Sequence, residues 1–329
     1  MYRKIYYDSP LIGFKSLNIN TPRYYSTCGN NKPKIEDENL QIHPWFITGF
    51  VDGEGCFSCS VLKSRSYKLG WEIQPIFQIK LHLKDYLILL RIKESLGGIG
   101  TLTTNQSVCV YRVRKLNELI ELVKFFDIYP LISRKKGDYI LFKKIISIIQ
   151  MKEHLTLQGL QKIINIRATL NFGLSKEIQL MYPETVPVPR PLREDCVIPH
   201  PQWIAGFTSA EGNMSVSLDK GIFKSLLFKI TQHEKDEVLL TAIRKQFNCG
   251  YCYLRKQENV LDFKVTKFSD INDIIIPFFT KYPIIGIKSL DFKDWCLVSE
   301  MVKKREHKLE KNVSKIIEIQ KGMNRGRSM

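Results

Sequence analysis

Long apolar runs are missing from this chain of 329 residues; even the stretch from Ile271 to Ile287 is broken by Asp273 and Lys281. Nothing reaches the ~18 residues that a membrane-spanning helix requires, so a soluble protein is expected. A glycine-rich phosphate loop is missing too, and the six histidines are scattered with no serine and acid in a catalytic arrangement. Kinase and serine-hydrolase chemistry fall away on that basis. Acidic residues are scarce, 33 against 50 lysines and arginines, which leaves a net charge of +17. Such an excess attracts a polyanion through phosphate contacts and counterion release, and nucleic acid leads anionic membranes and solvated surface lysines as its explanation. Eight cysteines are present, and Cys56 with Cys59, like Cys249 with Cys252, has the two-residue gap of a zinc knuckle. Cys56 and Cys59 lie in an alternating, strand-like run, where residues three apart point to opposite faces and cannot share a metal. The cysteines therefore read as buried or incidental thiols, and the lack of a secreted disulfide framework points to a reducing compartment.

What the chain does contain is a repeat. His43-Pro44-Trp45-Phe46-Ile47-Thr48-Gly49-Phe50-Val51-Asp52-Gly53-Glu54-Gly55 returns as His200-Pro201-Gln202-Trp203-Ile204-Ala205-Gly206-Phe207-Thr208-Ser209-Ala210-Glu211-Gly212. Further on, Phe125-Phe126-Asp127-Ile128-Tyr129-Pro130 returns as Phe278-Phe279-Thr280-Lys281-Tyr282-Pro283. Units of roughly 130 residues are too long for a solenoid and predict two similar domains in tandem. The expected boundaries are an extension over residues 1–40, a first half over 41–182, a proline-rich linker over 183–199 and a second half over 200–329. The basic, acid-poor extension has the bias of a mitochondrial transit segment, with a disordered arm or translated leader as the equal alternative.

Each repeat predicts a helix entered at proline and ended by glycine after the acid. Alternation follows: Phe57, Cys59 and Val61 oppose Cys56, Ser58 and Ser60, and Met214, Val216 and Leu218 oppose Asn213, Ser215 and Ser217. Second strands are expected at Trp71–Leu81 and Leu226–Gln232, helices at Asp85–Leu96 and Lys235–Phe247, and two more strands within Gly100–Arg114 and Gly250–Lys267. Helices then contain Leu119–Phe126 and Ile271–Phe279, with extra helices closing each half. The fold class is α+β: two pseudo-symmetric αββαββα halves, each an antiparallel sheet with helices on one face and the other free for a ligand. Trp45 and Trp203, at matching helix starts, read as core anchors.

Small residues four apart, Gly49 with Gly53 and Gly206 with Ala210, give each opening helix a flat stripe, and two such stripes can pack closely. Close packing brings Glu54 and Glu211 together at helix carboxyl ends, where each faces a partial negative charge as well as its neighbour. A divalent, oxygen-seeking cation would relieve the repulsion and could activate water for phosphodiester hydrolysis. The metal positions are Glu54 and Glu211, with Gly53 and Ala210 beside them. Magnesium is the expected ion, with manganese or calcium as substitutes. Ser209 stands where the other half has Asp52, and that position reads as structural.

Through Ile47-Thr48-Gly49-Phe50-Val51-Asp52-Gly53-Glu54-Gly55 and Ile204-Ala205-Gly206-Phe207-Thr208-Ser209-Ala210-Glu211-Gly212, the chain resembles the LAGLIDADG homing endonucleases over residues 43–329. The resemblance implies a monomer with two halves straddling double-stranded DNA, motif helices at the centre, and cleavage of both strands to leave short 3′ overhangs. It also implies an intron-encoded protein, commonly of fungal mitochondria. Carried over by position, the basic residues after each Tyr-Pro turn become Lys135 and Lys288, implied to stabilise charge at the phosphate or position water. Gln232 resembles a solvent-positioning residue of the family pocket, and its counterpart, Leu81, departs from that pattern, which puts equal cutting of the two strands in doubt.

Strand alternation nominates DNA-reading residues: Ser58, Ser60, Gln74, Gln78 and Lys80 in one half, Ser215, Ser217, Lys229 and Arg255 in the other. Glutamine pairs bidentately with adenine and arginine with guanine, whereas lysine and serine are more permissive. Because the two sets differ, the recognised site should not be a palindrome. The rival reading is an RNA maturase that uses the same saddle on intron RNA without cutting DNA, and a metal-independent repressor ranks third.

Overall fold

Prolines preset the first helical turn where an N–H would in any case lack a partner, and both repeats use one. In the computed structural model, which describes residues 41–191 and 196–327, α1 (Pro44–Glu54) and α7 (Pro201–Glu211) begin at those prolines. The expected extension over residues 1–40 lies outside the described residues. The preceding histidine caps each helix, its Nδ1 accepting from the backbone N–H two residues on, at 3.2 Å for His43 and 3.1 Å for His200. The helices end at Gly55 and Gly212, where extended backbone opens the first strand of each sheet.

In the first half, β1 (Gly55–Lys63) pairs with β2 (Trp71–His82), α2 (Tyr86–Ser95) follows, and β3 (Thr101–Asn105) and β4 (Val108–Val113) complete the sheet. In the second, β5 (Gly212–Asp219), β6 (Ile222–His233), α8 (Glu237–Phe247), β7 (Tyr251–Arg255) and β8 (Val260–Val265) repeat the order. All pairings are antiparallel, and the strand orders are β1-β2-β4-β3 and β5-β6-β8-β7. β6 starts earlier than Leu226 because Lys220 and Gly221, both at positive φ, make a two-residue hairpin turn that extends the pairing. Of the helices that follow, α3 (Leu116–Ile128) is continuous. Its counterpart is α9 (Phe268–Asp270), a π-helical turn over Ile271–Ile275, and α10 (Ile276–Lys281). Pro277 has no N–H to continue an α-helical ladder, which accounts for the irregular turn before it. Helices α4 (Lys135–Gln150), α5 (Leu157–Arg167) and α6 (Lys176–Met181) close the first half, and α11 (Lys288–Lys303) and α12 (Glu310–Gly322) the second.

Alternation sorts the sheet faces. Phe57, Phe77, Ile79, Tyr111 and Val113 are fully buried against helices in one half, and Met214, Phe228, Ile230, Phe263 and Val265 in the other. Each such side chain contributes about 1.5–3 kcal/mol of apolar burial. Trp203 is fully buried, but Trp45 is only half-buried, edge-on to Tyr129 at 5.3 Å between ring centroids. The residue aligned with Trp203 in the first motif is Phe46, which is equally buried.

The opening helices pack directly on each other within the single unit that holds the described residues. A Cβ on Gly49 would lie 2.0 Å from the Trp203 carbonyl oxygen, and one on Gly206 would lie 2.0 Å from that of Phe46. Only glycine permits this approach. Ala205 and Ala210 of α7 belong to the first half's core, while Trp45 of α1 packs on the second's, so the halves are joined through shared core.

Candidate active site

The close approach of α1 and α7 delivers their last residues to one place. A Cβ on Gly53 would fall 2.3 Å from Ala210 Cβ and 3.1 Å from Glu211 Cγ, so the chain at Gly53-Glu54 lies directly against Ala210-Glu211. Both acids sit where the two sheets begin, at the negative ends of their helix dipoles. Burial pushes the carboxyl pKa of Glu54 up, and Glu211 pushes it further, against the pull of Lys135 and Lys288. Burial also raises that of Glu211, opposed by the same two lysines and by a side-chain hydrogen bond with Gln232. The structure thus brings Gln232 to Glu211. Its counterpart, Leu81, packs instead against the first half's core.

Lys135 and Lys288 are the first residues of α4 and α11. The Lys135 ammonium donates to the carbonyl oxygen of Gly53 and more weakly to that of Val51, at 3.4 Å, and the Lys288 ammonium donates to that of Ala210. Burial lowers both lysine pKa values, opposed at Lys135 by Asp52, Glu211 and Glu54 and at Lys288 by Glu211, Glu54 and Asp85. Asp52 fixes the turn leading to Lys135: its carboxylate accepts from the N–H groups of Ile132 and Ser133, at 3.0 and 2.9 Å, and from Trp203 Nε1 across the helix pair at 2.8 Å. Burial pushes the Asp52 pKa up while these donors pull it down. Ser209 does less at the equivalent place, its hydroxyl accepting from Ile285 N–H at 3.1 Å and donating to Ala205 O at 2.8 Å. The aligned partners differ too: Trp203 donates to Asp52, whereas Phe46, the residue aligned with it, has no side-chain donor.

Among the described residues no cluster of three or more histidines, cysteines or acids forms a metal cage. The donors gathered here are the two carboxylates, the Gln232 side chain beside Glu211, and the adjoining carbonyl oxygens of residues 53 and 210, each of which accepts from a lysine ammonium. They are all oxygen ligands apart from the amide nitrogen, and the carboxylates repel one another, so the set fits a hard divalent cation held partly by other ligands.

A family profile described as LAGLIDADG endonuclease matches residues 47–146 and 204–299. The chain belongs to the LAGLIDADG endonuclease family. The LAGLIDADG homing endonuclease I-GzeII, crystallised in complex with its DNA target, is similar at 40% identity with a TM-score of 0.84, over 88% of this chain and 100% of that one. I-SmaMI, bound to uncleaved DNA target in the presence of calcium ions, is similar at 38% identity and 0.83, over 87% of this chain and 100% of that one. A probable intron-encoded endonuclease of Neurospora crassa is 36% identical over 288 residues, 85% of this chain. The present chain spans about half, 54%, of that relative's length.

In this LAGLIDADG chain the open sheet faces gather the residues that alternation nominated. Ser60 lies opposite Gln74, and Lys80 follows Gln78 along the strand. Ser58 spends its hydroxyl on the Ile76 carbonyl, at 3.3 Å. Ser215 and Ser217 share the second open face with Lys229, and Arg255 ends β7. Pairing register adds residues that single-strand reading missed. Arg112 lies opposite Gln78 and donates to its Oε1 at 3.2 Å. Lys264 lies opposite Lys229, and Asp262 holds both Arg255 and Lys264 at 3.2 Å. Only a knowledge of which strands are neighbours identifies these, because β4 and β8 are central strands with few exposed positions.

Proposed function

We propose that the chain is a site-specific homing endonuclease that hydrolyses both strands of a long, asymmetric DNA duplex, leaving short 3′ overhangs. The observation that carries this reading is the meeting of Glu54 and Glu211 at the junction of two sheets whose open faces are polar and basic. A divalent cation bound by the two carboxylates and the carbonyls of residues 53 and 210, with magnesium first choice, would supply Lewis acidity and a lowered water pKa. The chain's own groups do the rest. Glu54 and Glu211, as carboxylates, hold the charge that binds the ion. Lys135 and Lys288 place positive charge beside the acids, where a phosphate would gain negative charge on attack. Gln232 orients Glu211 and offers an amide to water on one side only, so the two strands are cut at different rates. The residues of β1, β2, β5, β6 and β7 named above contact the grooves, and two motifs in one chain make the active protein a monomer. Relatives named as intron-encoded endonucleases support an intron origin, and a mitochondrial genome is the proposed setting.

The test is incubation with a duplex that joins the exons flanking the reading frame. With magnesium, the parent protein cuts it, and Glu211→Gln binds equally in calcium but does not cut. Uncut DNA at saturating binding by the parent would instead assign the saddle to RNA binding.

A further inference from the structure

An aspartate at a helix N-cap ordinarily turns its carboxylate onto the N–H groups of its own first turn. Asp85 and Asp236 hold the N-cap positions of α2 and α8, and neither makes a side-chain cap bond. Both carboxylates reach into the opposite half instead. Asp236 accepts from the N–H of Arg134, at 3.2 Å, and Asp85 from that of Ile287, at 3.0 Å. Arg134 and Ile287 are the residues immediately before Lys135 and Lys288. In the second half the turn comes so close that a Cβ on Gly286, itself at φ +86°, would be 2.8 Å from Asp85 Oδ1. Short repeated segments carry the arrangement: His82-Leu83-Lys84-Asp85 and His233-Glu234-Lys235-Asp236. In each, the histidine Nδ1 accepts from the lysine N–H, at 3.2 and 3.1 Å, and fixes the turn that aims the aspartate.

We propose that Asp85 and Asp236 are crossed positioning residues: each half's aspartate sets the start of the lysine helix in the other half, making each lysine's placement depend on correct docking of both halves. This rests on the role given above to Lys135 and Lys288. The arrangement is symmetric in plan and unequal in strength. The turn before Lys135 also has two bonds to the Asp52 carboxylate and one from the Ser133 hydroxyl to the Asp52 carbonyl, at 3.4 Å, whereas the turn before Lys288 has a single bond to the Ser209 hydroxyl. Lys288 therefore leans harder on Asp85 than Lys135 does on Asp236.

The test follows each DNA strand separately in single-turnover cleavage of the exon-junction duplex with magnesium, and measures binding in calcium. Lys135→Met and Lys288→Met identify which strand each lysine serves. Asp236→Ala slows the strand slowed by Lys135→Met, and Asp85→Ala the strand slowed by Lys288→Met. The expected losses are about tenfold, larger for Asp85, on the scale of a small misplacement of an active-site group. Binding stays within about twofold of the parent, as a loss confined to positioning requires. Asp85→Asn and Asp236→Asn keep the Oδ1 acceptor and restore most of the rate, which a purely electrostatic role would not allow. Should an alanine variant not fold, Asp→Glu at the same position shifts the acceptor by one methylene and shows the same strand-specific loss. Aspartate variants that slow the strand of their own half, both strands alike, or neither, while the lysine variants act with strand bias, overturn this inference alone. Lysine variants that bind DNA and cut normally, or that show no strand bias, overturn it together with the assignment of the lysines.

Discussion

Asp52 and Ser209 hold equivalent places in the two motifs, yet one is a buried anion with three N–H donors and the other a hydroxyl with one. A buried carboxylate is tolerable only while its donors are in place. Trp203→Phe keeps the packing and removes one donor, so it should lower the unfolding free energy by about 2 kcal/mol, the scale of a hydrogen bond to a charged group, as measured by urea denaturation. Glu54 and Glu211 carry the opposite expectation. Both hold their protons to higher pH in the folded chain than when unfolded. The native state thus binds more protons between the ordinary glutamate pKa and the raised one, and stability falls as pH rises through that window. At neutral pH without metal, Glu211→Gln should melt higher than the parent by about 3 °C. Added magnesium should raise the parent's melting temperature and leave the variant's nearly unmoved. The acids were legible in the sequence because they recur in duplicate, each next to the same glycine. Asp85 and Asp236 recur as well, but at a helix start an aspartate looks like a cap for its own helix, and only coordinates show where its carboxylate turns.

At the scale of elements, the helix pair α1 and α7 organises everything else. Gly206→Ala would drive a methyl group into the Phe46 carbonyl, which belongs to a helix backbone and cannot swing aside as a side chain could. The helices must separate, and a loss of about 3 kcal/mol or more is expected, visible as a lower denaturant midpoint. Gly49→Ala meets Trp203 in the same way and should lose as much. The strands with one buried face could be read from alternation, since a period of two needs no partner to be visible. Their order could not, because it depends on which strand of the second hairpin returns beside β2 or β6. That order is what puts Arg112 beside Gln78 and Lys264 beside Lys229. The π-helical turn before Pro277 was equally hidden, as apolar residues fill that stretch without a period that would separate it from an ordinary helix.

For the molecule as a whole, the excess of +17 acts at longer range than any one contact. If phosphate neutralisation supplies most of the affinity, binding of the exon-junction duplex in calcium should weaken steeply with salt, by about a thousandfold between 50 and 200 mM potassium chloride for six or more phosphate contacts. Lys229→Ala should flatten that slope slightly, whereas Gln74→Ala or Gln78→Ala should leave the slope and relax the preference for particular bases. The central claim is that the two motif helices present one shared, oxygen-lined cation site at the scissile phosphates. Anomalous diffraction from crystals of the protein bound to its target duplex in manganese tests it most directly. The account predicts manganese peaks within contact distance, about 2.0–2.6 Å, of carboxylate oxygens of Glu54 and Glu211 and beside the DNA backbone. Manganese bound elsewhere, with both glutamates free of it while the DNA is held and cut, would contradict it.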